Sequence, residues 1–225
     1  MIENTVGGKV LPLSYMRDVA ALAKAKGLAC HIDGARLMNA AVVLAPAHKL
    51  SPQQMARELC QGYDSVSLCL SKGLGCPIGS LLLGSSDFIA RARRVRKMLG
   101  GGMRQTGVLA AAGLYALQHN IDRLADDHAN CQRLAEGLAD LAAQLPTLNG
   151  QLQVLPVQTN ILFTDLSLEL AEKLLPYLAE RGVKLTASNY QTAIGAIRRV
   201  RWVCHLDVSR TDIERTLQAI TEFAA

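Results

Sequence analysis

The first 145 residues alternate between short apolar runs and longer stretches with helical spacing. Apolar runs that end at glycine, proline or aspartate predict strands, and they cover 28–32, 66–70 and 78–83. Stretches with apolar residues three or four apart and with helix-start residues predict helices, and they cover 14–26, 51–60, 86–98, 106–119 and 122–145. Strands that alternate with helices predict an α/β fold with a mostly parallel sheet.

The pattern changes after Pro146, where the predicted strands are more frequent. Strands are predicted at 153–155, 160–163, 183–185 and 201–205, with helices at 168–181 and 211–223. We therefore predict two domains, residues 1–148 with the sheet and its connecting helices, and residues 149–225 as a small α+β domain. The segment from Ala45 to Leu59 carries a proline-capped helix, which we expect to be an elaboration at the surface.

Composition narrows the class of protein. Half of the 225 residues are hydrophobic, and the formal charge is +5. The basic residues form no stripe beyond the run 91–97, and aromatic residues are only 4% of the chain, which argues against nucleic-acid binding. The six cysteines have no metal-like spacing, so we expect no metal site and a reducing, cytoplasmic setting. No apolar segment is long enough to span a membrane, so no membrane partner is expected.

Lys72 is the most informative residue, because it stands where an apolar run gives way to a glycine turn, within Ser67–Pro77. Lysine is depleted in strand interiors and costly to bury, so this position calls for a reason. A desolvated lysine amine can form a Schiff base with an aldehyde such as pyridoxal phosphate. The alternative is a solvated turn lysine with no chemical role.

Asp33 follows the apolar run 28–32 and precedes Gly34. Ligands bind at the carboxyl ends of strands in open α/β sheets, and a carboxylate there can keep a pyridinium nitrogen protonated. Arg36, three residues later, could bind a substrate carboxylate through its guanidinium. The alternatives are an ordinary Asp-Gly turn and a surface arginine.

Two further groups are candidates. Gly100–Gly102 lies between Lys97 and Arg104, and three glycines beside basic side chains could let the backbone approach an anion. A flexible linker is the alternative. Arg201 begins a predicted strand of the second domain, from which it could bind a substrate carboxylate.

Three blocks of sequence, 31–40, 67–80 and 96–107, together resemble the low-specificity L-threonine aldolases, which are pyridoxal-phosphate enzymes of the aspartate-aminotransferase fold type. Segments 2–5 and 205–209 are also similar to that family. The resemblance implies a fold-type-I large domain followed by a small α+β domain. It also implies a homotetramer that cleaves threonine or allo-threonine to glycine and acetaldehyde, a step of threonine catabolism and glycine biosynthesis.

The resemblance also implies roles for the candidates. Lys72 would bond pyridoxal phosphate, Asp33 would pair with its ring nitrogen, and Arg36 and Arg201 would hold the substrate carboxylate. Lys97 and Arg104 resemble basic residues that the family places near the active site, where they could serve the cofactor of a neighbouring subunit.

The family's phosphate-binding segment has no counterpart here, so the resemblance implies a chain truncated at its N-terminus. Two alternatives to an aldolase stay open, another fold-type-I lyase or aminotransferase, and an inactive remnant without the phosphate cradle.

Overall fold

The computed structural model describes residues 1–193 and 195–225 and divides them into two units, Met1–Ala125 and Asp126–Ala225. The division falls near the start of a long helix, α6 (Leu124–Gln144), whereas the boundary predicted at residue 148 lies just beyond the end of that helix. Among the described residues, none of the helices combines the length and the hydropathy that crossing a bilayer would need.

A mixed sheet of four strands organises the first unit. Its strands stand in chain order as β1 (Ile2–Glu3), β2 (His31–Gly34), β3 (Ser65–Cys69) and β4 (Ser80–Gly84). The first three are parallel, and β4 is antiparallel to β3. The α/β class and the mostly parallel sheet predicted from the sequence are confirmed.

The helices of the first unit are α1 (Leu13–Ala25), α2 (Leu37–His48), α3 (Pro52–Cys60), α4 (Ser86–Met98) and α5 (Gly107–His119). Side chains from α1, α2 and α3 form one core with the sheet residues Ile32, Val66 and Leu68. Burial of these side chains supplies the main driving force for folding of this unit. By contrast, every residue of β4 is exposed, including Leu82 and Leu83.

Local signals explain where two of these helices begin. Ser51 caps α3 by accepting a hydrogen bond from the N–H of Gln54, and the Gln54 side-chain oxygen in turn accepts one from the Ser51 N–H. Pro52 takes the first helical position. Ser85 caps α4 through the N–H of Phe88. Both helices therefore begin within a residue of the predicted positions.

The second unit contains an antiparallel sheet in the order β5-β6-β8-β7. Its strands are β5 (Leu152–Val154), β6 (Ile161–Ser167), β7 (Thr186–Thr192) and β8 (Gly195–Val203). The helices α7 (Leu168–Glu180) and α8 (Arg210–Ala224), together with α6, contribute to the core that covers one face of this sheet. This arrangement agrees with the small α+β domain expected there.

Two predictions of secondary structure and one of burial were wrong. No helix was predicted at Leu37–His48, and the predicted strand 183–185 is absent, because β7 begins at Thr186. The segment expected to be a surface insertion contributes Met55 and Leu59, both fully buried, to the core. It is therefore an integral part of the first unit.

Candidate active site

Asp33 and Lys72 lie toward the same edge of the first sheet. Strands β2 and β3 are parallel neighbours with Asp33 opposite Ser67, and Lys72 follows β3 three residues after Cys69. Carboxyl ends of parallel strands meet at one edge, which is where open α/β sheets bind ligands. The half-buried Asp33 carboxylate accepts the N–H of Ala35 through Oδ1 at 3.1 Å, which fixes its orientation.

Gly34 explains why a glycine follows the aspartate. A Cβ atom added at this position would stand 2.5 Å from the carbonyl oxygen of Ser67 and 3.1 Å from the Cβ of Leu37. The close approach of β2 to β3 therefore requires glycine here. It also holds Asp33 in its register with Ser67 at the end of the strand.

The turn that carries Lys72 is closed by its own backbone. The Gly75 N–H donates to the Lys72 carbonyl at 2.8 Å, and the Cys76 N–H donates to the Leu70 carbonyl at 3.1 Å. Leu70, Leu74 and Cys76 are buried, whereas Lys72 is exposed. The desolvation expected for this amine is therefore not provided by the residues that the structure describes.

The turn that carries Lys72 is held by contacts with the first residue of α6 and with Asn120. A Cβ atom at Gly73 would stand 2.7 Å from Cδ2 of Leu124, so the turn packs against the first residue of α6. The Asn120 side-chain amide donates to the Leu74 carbonyl at 2.8 Å. Packing and hydrogen bonding thus hold the backbone of the turn, whereas the side chain of Lys72 is exposed to solvent.

A row of polar side chains that sequence reasoning missed shares one face of the sheet with Asp33. The register of the strands places His31, Ser65, Ser67, Cys69 and Ser80 on this face. His31 Nδ1 and Ser65 Oγ are 2.8 Å apart, within hydrogen-bond distance. The alternation His-x-Asp on one strand and Ser-x-Ser-x-Cys on the next was the available signal.

The surroundings of Cys69, a member of this row, lower the pKa of its thiol. Burial alone would raise the pKa of its thiol, but hydrogen bonding to Ser71 and Ser80 and the positive charge of Lys72 together lower it. Its sulfur lies 3.6 Å from the hydroxyl of Ser71. The local field beside Lys72 therefore favours a negative charge.

Arg36 lies at the N-cap of α2 and is half-buried. Its carbonyl accepts the N–H groups of Asn39 and Ala40, at 3.0 and 3.3 Å. It lies three residues after Asp33, so both are at the carboxyl end of β2.

The glycine run after α4 is a helix cap. The Gly101 N–H donates to the Arg96 carbonyl at 2.8 Å and the Gly100 N–H donates to the Lys97 carbonyl at 3.1 Å, with Gly100 at φ +86°. This pair of bonds is a Schellman motif. Lys97 lies across Gly102, where a Cβ atom would stand 2.8 Å from its Nζ.

Arg104 follows the glycine run and is exposed, as is Lys97. Neither side chain forms an ion pair within the described part of the chain. The structure does not bring either of them into contact with Asp33 or Lys72.

Arg201 belongs to the second unit, where it is half-buried on β8 opposite Phe163 of β6 and Thr186 of β7. The adjacent Trp202 points to the opposite face, into the core, and donates its Nε1–H to Thr164 Oγ1 at 2.9 Å. This buried bond fixes the strand, so that Arg201 projects from the face that the core does not cover.

Comparison with known proteins agrees with this architecture. A sequence model of the family described as "Beta-eliminating lyase" matches residues 1–166. The low-specificity L-threonine aldolase of Escherichia coli O157:H7 is 44% identical over 94% of this chain and 56% of its own length. The low-specificity L-threonine aldolase 1 of Arabidopsis thaliana is 41% identical over 98% of this chain and 58% of its own length. The chain thus spans little more than half the length of these curated relatives.

Solved structures share the fold at lower identity. A threonine aldolase from Leishmania major superposes with a TM-score of 0.74 at 20% identity, over 99% of this chain and 60% of that one. A serine palmitoyltransferase from Sphingomonas wittichii superposes with a TM-score of 0.71 at 20% identity, over 99% of this chain and 53% of that one. The fold is therefore that of the threonine aldolases and of serine palmitoyltransferase. From the match over residues 1–166, the chain belongs to the beta-eliminating lyase family.

Proposed function

We propose that this chain acts in the pyridoxal-phosphate-dependent cleavage of L-threonine or L-allo-threonine to glycine and acetaldehyde. The observation that carries the proposal is the placement of Asp33 and Lys72 after adjacent parallel strands, at one edge of the sheet. The 41–44% identity to low-specificity L-threonine aldolases supports this substrate class.

The residues at this edge fit pyridoxal phosphate. Its protonated ring nitrogen needs a carboxylate, and Asp33 offers one whose Oδ1 accepts the Ala35 N–H. Its aldehyde needs a primary amine, and Lys72 carries one on a turn fixed by Asn120 and Leu124. When bound, the cofactor withdraws the electron pair that a broken Cα–Cβ bond leaves on the substrate.

Each proposed role follows from the chemistry of the side chain. Asp33 would hold a proton on the ring nitrogen, because its negative charge opposes loss of that proton. Lys72 would bind the cofactor through Nζ and release it to the substrate amine. Arg36 and Arg201 would bind the substrate carboxylate in a bidentate manner, and Lys97 and Arg104 would bind anionic groups of the cofactor.

The expectations about setting are part of the same proposal. Six free cysteines suit a reducing, cytoplasmic compartment. Exposed apolar side chains on β4 and α4, among them Leu83, Val95 and Met98, suit association into the homo-oligomer expected from the resemblance.

The test is an assay of the purified 225-residue chain with pyridoxal phosphate and L-threonine, in which acetaldehyde is followed by a coupled alcohol dehydrogenase. We expect acetaldehyde and glycine in equal amounts, and none from the Lys72→Ala variant. Formation of a keto acid from threonine, without acetaldehyde, would instead indicate an aminotransferase. Absence of both products would contradict the proposal for this chain.

A further inference from the structure

One face of the second sheet carries an asymmetric arrangement of charge. Paired residues of antiparallel strands point to the same face, so Phe163, Asp165, Arg199 and Arg201 share a face with Thr186, Ser188 and Tyr190 of β7. The core covers the opposite face. We call the seven residues together the arginine face.

Asp165 and Arg199 are directly opposite each other on this face and form a bidentate ion pair. Arg199 Nε donates to Oδ1 of Asp165 at 2.7 Å, and Nη2 donates to Oδ2 at 2.8 Å. The side chain of Asp165 is only 11% exposed, so its carboxylate is largely shielded from water, whereas the Arg199 side chain is 34% exposed. Two parallel charge-assisted bonds of this kind hold a guanidinium in one orientation.

Tyr190 holds Arg199 from the other side. The Arg199 Cζ atom lies 5.1 Å from the centroid of the Tyr190 ring, within the range of a cation–π contact. Arg199 is therefore bound between β6 and β7, with the Nε–Nη2 edge of its guanidinium already used by Asp165.

Arg201 lies two residues further along β8, at a rise of roughly 6.6 Å. Its register partners are Phe163 and Thr186, neither of which is charged. Within the described strands it forms no ion pair, and Asp165 is the one acidic side chain on the arginine face. The face thus carries two guanidinium groups, of which one is neutralised and one is open to an anion.

We propose that Asp165 determines specificity by neutralising Arg199, so that the arginine face accepts one carboxylate, at Arg201, and not two. This inference rests on the proposed function, in which Arg201 binds the substrate carboxylate. A β-hydroxy amino acid with an uncharged group on Cβ, such as threonine, needs one guanidinium. A dicarboxylic one, such as 3-hydroxyaspartate, would need the second guanidinium as well, and Asp165 occupies it.

The Asp165→Asn variant tests the inference directly, because asparagine keeps the shape of the side chain and removes its charge. Chemical-shift titrations of the ¹⁵N-labelled chain with succinate and with butyrate compare a dicarboxylate and a monocarboxylate of equal carbon number at the β8 amides. These titrations need neither cofactor nor catalysis. For the original chain we expect the dissociation constants of succinate and butyrate to differ by no more than about twofold. For Asp165→Asn we expect succinate to bind about tenfold more tightly than butyrate, which corresponds to about 1.4 kcal/mol.

Two control variants separate charge from structure. Arg199→Gln leaves the Asp165 carboxylate without its partner, so we expect this variant to bind succinate more weakly than butyrate. Asp165→Asn combined with Arg199→Gln removes both charges and should restore the original ratio. An unchanged succinate-to-butyrate ratio in Asp165→Asn, or a changed ratio that persists in the double variant, would overturn the inference.

A kinetic experiment links the inference to the reaction. In Asp165→Asn we expect kcat/KM for L-threo-3-hydroxyaspartate to rise about tenfold relative to L-threonine, through KM and not kcat. If the chain has no aldolase activity but Asp165→Asn gains the succinate preference, the proposed function fails and the selectivity stands. If the chain is active and neither ratio changes, the inference about Asp165 fails and the proposed function stands.

Discussion

Gly34 lies so close to Ser67 that a Cβ atom at Gly34 would stand 2.5 Å from the Ser67 carbonyl oxygen. The backbone of β2 therefore approaches β3 more closely than any other residue would allow. This contact connects the fold to the candidate site, because Asp33 directly precedes Gly34 and is in register with Ser67.

The Gly34→Ala substitution should destabilise the first unit. Its methyl group meets backbone as well as the Leu37 side chain, so strands must separate to accommodate it, at a cost of roughly 1–3 kcal/mol. Urea denaturation followed by circular dichroism measures the change. Gly107→Ala is the matched control, since nothing lies within 4 Å of its added Cβ and it begins a helix. That control should be neutral or slightly stabilising, and equal effects of the two substitutions would contradict this account of Gly34.

Asp33→Asn should lower kcat while leaving the fold intact. Asparagine can still accept the Ala35 N–H, but it carries no charge to keep a proton on the cofactor's ring nitrogen. The expected loss is at least about 100-fold, the scale of removing one electrostatic partner of a reacting group. Steady-state kinetics with L-threonine measure it.

Asp64→Asn is the control for that experiment. Asp64 accepts the Cys30 N–H at 2.6 Å, just before β3 begins and away from the carboxyl ends of the strands. Its substitution should leave kcat within about twofold, because its role is local structure. An Asp33→Asn enzyme with unchanged kcat would show that the ring nitrogen has no partner in Asp33.

Arg201→Lys should raise KM for L-threonine about tenfold with a smaller change in kcat. A lysine keeps the charge but cannot offer the planar pair of donors that matches a carboxylate. Arg210→Lys is the control, because Arg210 pairs with Glu214 on the exposed face of α8. If both variants showed the same KM as the original chain, Arg201 would not bind the substrate carboxylate.

The second unit should lose stability in mild acid because of His128. Burial lowers the pKa of His128 to about 4, from an ordinary value of 6.5. Below pH 6.5 the unfolded chain binds a proton at this residue and the folded chain does not, so stability falls as the pH falls from 6.5 to 4. The loss is up to roughly 3 kcal/mol.

Denaturation of the original chain and of His128→Gln at several pH values isolates this effect. The glutamine variant has no group to titrate at this position, so its stability should decrease less over the same interval. Parallel pH profiles for the two proteins would contradict the assignment to His128.

The sequence predicted best the elements that carry local signals. Ser51 with Pro52 marked the start of α3, and Asp87 in the first turn marked that of α4. The helix at Leu37–His48 was missed because it is apolar on most sides, contains Pro46 and has no side-chain cap at Arg36. Without a polar face it has no helical periodicity to detect.

Strand β7 was predicted too early in the chain because its own residues are polar and the residues before it are apolar. The segment Thr186–Thr192 is polar and mostly exposed at the edge of its sheet, whereas the adjoining Val183 and Leu185 resemble a buried strand. Packing within the whole sheet decides such edge strands, and a local pattern does not contain that information.

Some residues of the candidate site could be predicted from local sequence, and others could not. Asp33 and Lys72 could be proposed from their places after apolar runs, because strand ends meet at one edge of a parallel sheet. The pairing of Asp165 with Arg199 could not, because the two are 34 residues apart and only the register of β6 with β8 sets them opposite each other.

The bond between Lys72 and pyridoxal phosphate is the central claim, and reductive trapping tests it most directly. The chain is incubated with the cofactor, reduced with borohydride, digested and mapped by mass spectrometry. The account predicts one phosphopyridoxyl group, on Lys72, and none on the exposed Lys97. Label spread over surface lysines at equal levels, or an unlabelled Lys72, would contradict it.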